Sequence, residues 1–469
     1  MLFRSSLLNR NEDREFVYLR RHLPPAEAAR IEDLGIPGVA SLREYGRYYP
    51  AGPITSHVLG FTDVDDRGQE GIEKAFDTHL AGVEGRKRVL RDRKGRVVED
   101  IESLQPVHHG RDLQISLDLR IQGATQRHLA QTVRESKALG ASAVMLDVKT
   151  GEVLAMVNVP DYNPNNRTNI SVDLFRNRAV TDVFEPGSTI KPFTLAMALA
   201  SGRFSTETPV STSPGVYRIG KDQIRDVHDY GDLTLSGVLI KSSNIGTAKI
   251  AMELAPEELY GVLEKVGFGA ASGIELPGES DGSLLKRERW RPIEHATLSY
   301  GYGLASTEVQ LARAYSVLAS GGILRPVTLK RQEREVAGQR VLPASVTSQI
   351  NVLLEKVVSA EGTAKRAAVP AYRVAGKTGT VHKVSATGGY EEDRYQAIFV
   401  GFAPVSEPRF VLAVMVDEPK GKYFGGEIAA PAFARIMSDA LRVHGIKPDA
   451  ESDSGITVVS RAVKSEAGA

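Results

Sequence analysis

The chain has 469 residues, 42% of them apolar, and a formal net charge of +1 from 59 basic and 58 acidic side chains. That length suggests two or three domains, and the near-neutral balance gives no support for a nucleic-acid or general polyanion binder. There are no cysteines, which excludes disulfides, thiolate nucleophiles, iron–sulfur clusters and thiolate zinc sites.

No segment approaches the roughly 18 apolar residues that a membrane span needs. The opening MLFRSSLLNRNEDREF lacks the apolar core of a signal peptide. As written, the chain reads as soluble: it works in the cytoplasm, or an anchor or signal is missing from it. Its first region is rich in Arg and Glu. Pro24-Pro25 precede a helix start. Arg86 to Glu99 alternates around Lys94-Gly95, which predicts a β-hairpin, a solvated ribbon rather than a polyanion patch.

Near residue 112 the texture changes. Leu113 to Leu117 reads as a strand, and Leu119 to Ala138 has helical spacing. Ser142 to Met156 predicts a hairpin around Lys149-Thr150-Gly151. Ile190 to Leu199 is an apolar helix. Loops and short helices alternate after about residue 203. Tyr395 to Ala403 and Arg409 to Val416 are apolar strands, and Ile428 to Val443 is an amphipathic helix. Sheet, helical middle, sheet and helix imply an α+β domain whose antiparallel sheet is completed by both ends of the segment. The expected division is a first region over 1–111, an α+β domain over 112–445 and a polar tail over 446–469.

Several motifs fail. Gly376-Lys377-Thr378 resembles the end of a phosphate loop, but Ala371 stands where its first glycine is needed. No HExxH or GxSxG occurs, and Ser306 interrupts the dinucleotide pattern begun at Gly301. What remains is Ser188-Thr189-Ile190-Lys191. Ser and Lys three apart share one helix face, and a buried, neutral Lys can take a Ser proton. Pro186-Gly187 place Ser188 in the first turn, where its N–H is free for an oxyanion. Alone, this is also what a capped helix with a solvated lysine looks like, and Ser283 to Lys286 repeats the spacing by coincidence. Ser242-Ser243-Asn244 offers a hydroxyl and a carboxamide two apart; a polar cap would look the same. Lys377-Thr378-Gly379-Thr380 fits an edge strand against which a ligand could lie, with Gly379 leaving room. Lys149-Thr150-Gly151 is its structural decoy.

The three motifs in this order are specific. They resemble the set of active-site serine penicillin-recognising enzymes. Residues 112–445 resemble the transpeptidase domain of a class B penicillin-binding protein, and Tyr49 to Glu99 resembles that family's elongated pedestal. Phe268-Gly269, Gly273 to Gly278, Tyr300 to Gly303 and Tyr423 to Gly426 extend the match, and the details lean toward the division-type, septum-building enzyme. Relatives begin with a cytoplasmic stub, a membrane helix and an Arg-Gly/Asp-Arg-Asn-Gly-like strand; none is found here, so a missing anchor is expected. His382 stands where division-type relatives often carry Arg.

The resemblance implies a serine β-lactamase-like fold and a two-step acyl transfer at the periplasmic face of the bacterial inner membrane. Lys191 would deprotonate Ser188, which attacks the D-Ala–D-Ala carbonyl of a peptidoglycan stem peptide. The N–H groups of Ser188 and Thr380 would hold the oxyanion. Ser242, backed by Lys377, would return a proton to the leaving D-Ala. Asn244 would hold the substrate amide, and Thr378 and Thr380 the terminal carboxylate. Tyr302, Tyr423 and Phe424 are candidate walls, and core or surface packing explains such aromatics nearly as well. β-Lactams would stall the acyl-enzyme. No metal or organic cofactor is implied. A glycosyltransferase and other division proteins are the implied partners. An elongation-type enzyme, a carboxypeptidase, a class D-like lactamase or sensor, and a silent division scaffold are the alternatives.

Overall fold

The computed structural model describes residues 16–93, 97–286, 288–384 and 389–450. Proline pre-sets the first helical turn, and helix α1 runs Pro25–Glu32. Strands β1 (Arg86–Arg91) and β2 (Val97–Gln105) form an antiparallel ribbon with register shifts. The expected turn at Lys94-Gly95 lies outside the described residues. This first region is tied to the rest through aromatic rings. Tyr49, Phe61 and Tyr162 are buried together, and the Tyr162 hydroxyl donates to Ser56 O at 3.0 Å.

Asp118 caps helix α2 (Leu119–Ser136) by accepting from the Arg120 N–H. Strands β3 (Gly140–Asp147) and β4 (Val153–Val159) follow as the expected hairpin. The remaining central strands come late: β5 (Ala375–Val384), β6 (Tyr390–Ala403) and β7 (Phe410–Asp417). The spatial order is β5-β6-β7-β3-β4, antiparallel throughout. The sheet is therefore closed by both ends of the segment, and β5 is its edge. β3 is buried at every position and β7 at all but its last residue, because helices cover both faces. Helix α2 and the last helix, Gly425–Val443, pack on each other and on the sheet, and the helices between β4 and β5 cover the other side. In chain order these include α3 (Lys191–Ala200), α4 (Leu235–Lys241), α5 (Asn244–Met252), α6 (Glu308–Ala319) and α7 (Ala344–Val358); Gly425–Val443 is then α8.

Three expectations change. Leu113 to Leu117 is not a strand: it makes one isolated bridge, Ile115 to Lys330, flanked by bonds from Ser116 N to Leu329 O and from Arg331 N to Gln114 O. The segment is extended but leaves its neighbour too soon to build a ladder. The middle holds two short ribbons the sequence did not signal, Pro209–Ser211 with Asp232–Thr234 and Val216–Ile219 with Asp222–Arg225. Finally, residues 446–450 stay on the body. Ile446 O accepts from the Tyr372 hydroxyl at 2.6 Å, and Asp449 accepts from the N–H groups of Arg373 and Ser406.

Candidate active site

Ser188 lies in a single 3-10 turn, Gly187–Ile190, that runs directly into α3. The sequence placed it in the helix's own first turn; the difference comes from Gly187. That residue has φ +54°, and a Cβ on it would stand 2.4 Å from Val381 Cγ1. Only glycine meets both conditions. The turn is pinned from below, where the buried Tyr315 hydroxyl donates to Thr189 O at 2.8 Å. The Ser188 N–H donates to no backbone carbonyl among the described residues, as expected before a first helical turn.

Lys191 is fully buried at the head of α3. Its Nζ donates to Ser242 O at 2.5 Å, to Asn244 Oδ1 at 2.8 Å and, more weakly, to Ser242 Oγ at 3.2 Å. Ser242 ends α4 in the left-handed conformation, φ 61°, which is uncommon for serine and turns its hydroxyl and carbonyl into the cleft. Ser243 caps α5 by accepting from the Gly246 N–H at 2.8 Å. From the opposite wall, the buried Lys377 Nζ donates to Ser242 Oγ at 2.9 Å. Thus Lys191, Ser242, Asn244 and Lys377 form one hydrogen-bonded cluster. Ser188 sits one turn before Lys191, and its hydroxyl makes no hydrogen bond among the described residues.

Burial, reinforced by the neighbouring Lys377, pushes Lys191 well below the ordinary lysine range, while Asp226 pulls it upward. Burial brings Lys377 down to about 7. A lysine shifted this far is neutral for part of the time near neutral pH, as a general base needs.

Lys377, Thr378, Gly379 and Thr380 all lie on β5, beside the Ser188 turn. A Cβ on Gly379 would stand 3.1 Å from Thr189 Cγ2 and 3.2 Å from Pro186 O, so the missing side chain lets strand and turn meet. The Thr378 and Thr363 hydroxyls are 3.0 Å apart, and Thr380 Oγ1 accepts from the Gly425 N–H. Both threonines thus have partners of their own.

The aromatic candidates form a rim. His382 lies opposite Tyr395 across the β5–β6 pair, with ring centroids 4.4 Å apart. Tyr395 stacks on Tyr423 at 4.1 Å, and Tyr423 meets Phe424 at 4.6 Å. Tyr302 meets Tyr390 edge-on at 6.0 Å. Sequence reading missed Tyr390 and Tyr395; the β5–β6 register was the signal for Tyr395. It also missed Glu185, whose carboxylate accepts from the Gly303 N–H at 2.8 Å and the Tyr390 hydroxyl at 2.9 Å. Asp226, bound to the head of α5, carried no motif of its own. The two decoys are elsewhere: Ser283 to Lys286 is not helical, and Lys149 pairs with Glu407 in its hairpin turn.

Comparison with known proteins finds relatives along most of the chain. Residues 141–438 match the family model described as the penicillin-binding protein transpeptidase domain, and residues 4–115 match the penicillin-binding protein dimerisation domain. The chain is 44% identical over 449 residues to the peptidoglycan D,D-transpeptidase FtsI of Escherichia coli, covering 95% of this chain and 75% of that protein. It is 42% identical to a probable peptidoglycan D,D-transpeptidase, PbpC, of Pseudomonas aeruginosa, covering 95% and 79%. A solved transpeptidase domain of penicillin-binding protein 3 from Burkholderia pseudomallei superposes with a TM-score of 0.66 at 42% identity, over 72% of this chain and 98% of that one.

Proposed function

The chain belongs to the class B penicillin-binding proteins, and on that premise we propose how its residues divide the work. It is a division-type peptidoglycan D,D-transpeptidase. Lys191 takes the proton of Ser188, whose oxygen attacks the D-Ala–D-Ala carbonyl of a stem peptide. The N–H groups of Ser188 and Thr380 receive the oxyanion. Ser242, backed by Lys377, passes a proton to the departing D-Ala amine. Asn244 holds the substrate amide, Thr378 and Thr380 take the terminal carboxylate, and Gly379 leaves the strand open to the peptide. An amine from a second stem then attacks the ester and frees Ser188. His382, Tyr302, Tyr423 and Phe424 line the ends of the cleft.

The observation that carries this reading is the shared Ser242 hydroxyl, within hydrogen-bonding distance of both buried lysines. It links the three motifs in one proton-transfer cluster. The test is labelling with a fluorescent penicillin. We expect a long-lived covalent adduct with the whole chain and none with Ser188→Ala. An undiminished adduct in that variant overturns the assignment, and rapid adduct turnover points to a lactamase. Incubation of a stem peptide with and without an amine acceptor separates transpeptidation from carboxypeptidase action.

Residues 1–111 act as a non-catalytic pedestal and 112–445 as the transpeptidase unit; the position of the family matches supports this division. The substrate lies outside the inner membrane, so the chain works on the periplasmic face, beside a glycosyltransferase and other division proteins met through the pedestal. No described helix is long and apolar enough to cross a membrane.

A further inference from the structure

The Ser242-Ser243-Asn244 segment is held from outside by a residue with no part in the scheme above. Asp226 follows the ribbon strand Asp222–Arg225. One of its carboxylate oxygens accepts from the Asn244 N–H at 2.5 Å and the Ile245 N–H at 3.1 Å; the other accepts from the Ser243 hydroxyl at 2.5 Å. These amides open α5 and have no partner within the helix. A negative group there also suits the helix dipole. The ribbon is fixed in turn, since Ile224 packs with Ile245, Ala248 and Tyr300 in a small core of its own. Arg225 O accepts from Asn244 Nδ2 at 3.2 Å. With its main-chain N–H and its amide N–H both engaged by the ribbon, Asn244 turns its Oδ1 to the Lys191 Nζ.

We propose that Asp226 is a positioning residue for acyl transfer, fixing the head of α5 so that Asn244 and Ser242 face Lys191 and placing a negative charge beside that lysine. The proposal rests on the reading of Lys191 as the base for Ser188. A helix cap is the plainer role for such an aspartate; the two roles differ in what the charge does.

The charged groups that face Lys191 are Lys377 from β5 and Asp226 from the ribbon. Ser242 and Asn244, from the α4–α5 junction, are neutral. Tyr230 faces the Asp226 carboxylate. Burial and Lys377 favour neutral Lys191, and Asp226 favours its ammonium. Acylation that needs neutral Lys191 rises with pH along an acid limb. Loss of the Asp226 charge destabilises the ammonium, so the limb moves to lower pH.

The experiment is the acylation rate with a simple penicillin across pH 5–10, for the whole chain and for Asp226→Asn, Asp226→Glu, Ser243→Ala and Ser188→Ala, with thermal denaturation as a check of folding. For Asp226→Asn we expect an acid limb displaced downward by about half a pH unit or more and a plateau reduced about tenfold. Asp226→Glu keeps the charge and leaves the limb in place. Ser243→Ala removes one bond to the carboxylate and lowers the plateau without moving the limb; it tests the positioning even if Asp226→Asn does not fold. A limb unmoved in Asp226→Asn, or moved equally by Asp226→Glu, or a Ser243→Ala plateau equal to wild type, overturns the proposal. Persistent labelling of Ser188→Ala instead refutes the underlying reading, so the two failures are distinguishable.

Discussion

Two lysine side chains cannot share one serine hydroxyl in a dry interior while both stay charged. Desolvation lowers both lysines, and the neighbouring Lys377 adds to it at Lys191. This division suits the proposed roles, with Lys191 as base and Lys377 as the donor that supports Ser242. A second buried ionisable residue has no such outlet. Glu308 is 1% exposed, and neither carboxylate oxygen has a well-formed hydrogen bond among the described residues, although the Ser142 hydroxyl and the Met415 backbone lie close by. Burial lifts its carboxyl to about 8. The folded chain therefore holds a proton that the unfolded chain releases near the ordinary value. Stability is lost as pH rises from about 4.5 towards 8 and stays lower above it. Glu308→Gln keeps the shape of the neutral acid, so we expect it to remove this slope and to stabilise the protein at pH 9 by up to about 5 kcal/mol, with much less change at pH 5. Denaturant melts at the two pH values check this. An equal effect at both would mean that the carboxyl does not titrate with folding. The proposed catalytic residues were legible because each lies in a short motif with fixed spacing. Glu308, Glu185 and Asp226 were not, because their surroundings are assembled from segments far apart in sequence.

At the level of elements, the cleft depends on how closely the Ser188 turn can approach strand β5. Gly187 and Gly379 are the two contact points, and they differ in tolerance. A side chain on Gly187 would meet both a positive φ and a 2.4 Å contact, whereas one on Gly379 would meet neighbours at 3.1–3.2 Å. Gly379→Ala should therefore fold, with strand and turn pressed apart by a few tenths of an ångström. Small displacements of a nucleophile are costly, so we expect acylation by a penicillin to fall about 100-fold with only a small change in melting temperature. A variant that labels at the wild-type rate would show that the cleft has slack. β3, β7, α2, α3 and α8 were visible in sequence because they carry sustained apolar periodicity, whereas α6 and α7, with 12 and 15 residues, lie where only loops and short helices were expected. That both ends of the segment complete one sheet followed from the apolar strands placed there; the order of the strands did not. Three- and four-residue ribbons such as Asp222–Arg225 offer no such pattern. Leu113 to Leu117 had a strand's composition but found a partner at only one residue. The ribbon that carries Asp226 and the loop that carries Glu185 are thus set by packing rather than by local pattern.

For the whole molecule, the joint between the N-terminal region and the sheet-bearing region includes a cluster of aromatic rings and a histidine. His57 is buried; its Nε2 is 2.9 Å from Leu174 O, its carbonyl accepts from Asn177 Nδ2 at 3.2 Å, and its ring meets Tyr162 edge-on. Burial lowers it from the ordinary value to about 4. The folded joint therefore keeps His57 neutral at pH values where the unfolded chain protonates it. Between about 6.5 and 4 the unfolded state binds the extra proton, so stability falls as pH falls. The full shift corresponds to about 3 kcal/mol by pH 4. His57→Gln retains a side-chain amide able to reach Leu174 O and cannot titrate. We expect it to flatten this acid-side loss, read as the melting temperature of the whole chain at pH 6.5, 5.5 and 4.5, at a modest cost at pH 7.5 from imperfect packing against Tyr162. Because the joint lies outside the cluster of Lys191, Ser242 and Lys377, penicillin acylation at pH 7.5 should stay within about twofold of wild type. An acid-side slope that persists in His57→Gln would assign the loss to other groups. A large fall in acylation with unchanged melting would instead show that the joint steers the cleft.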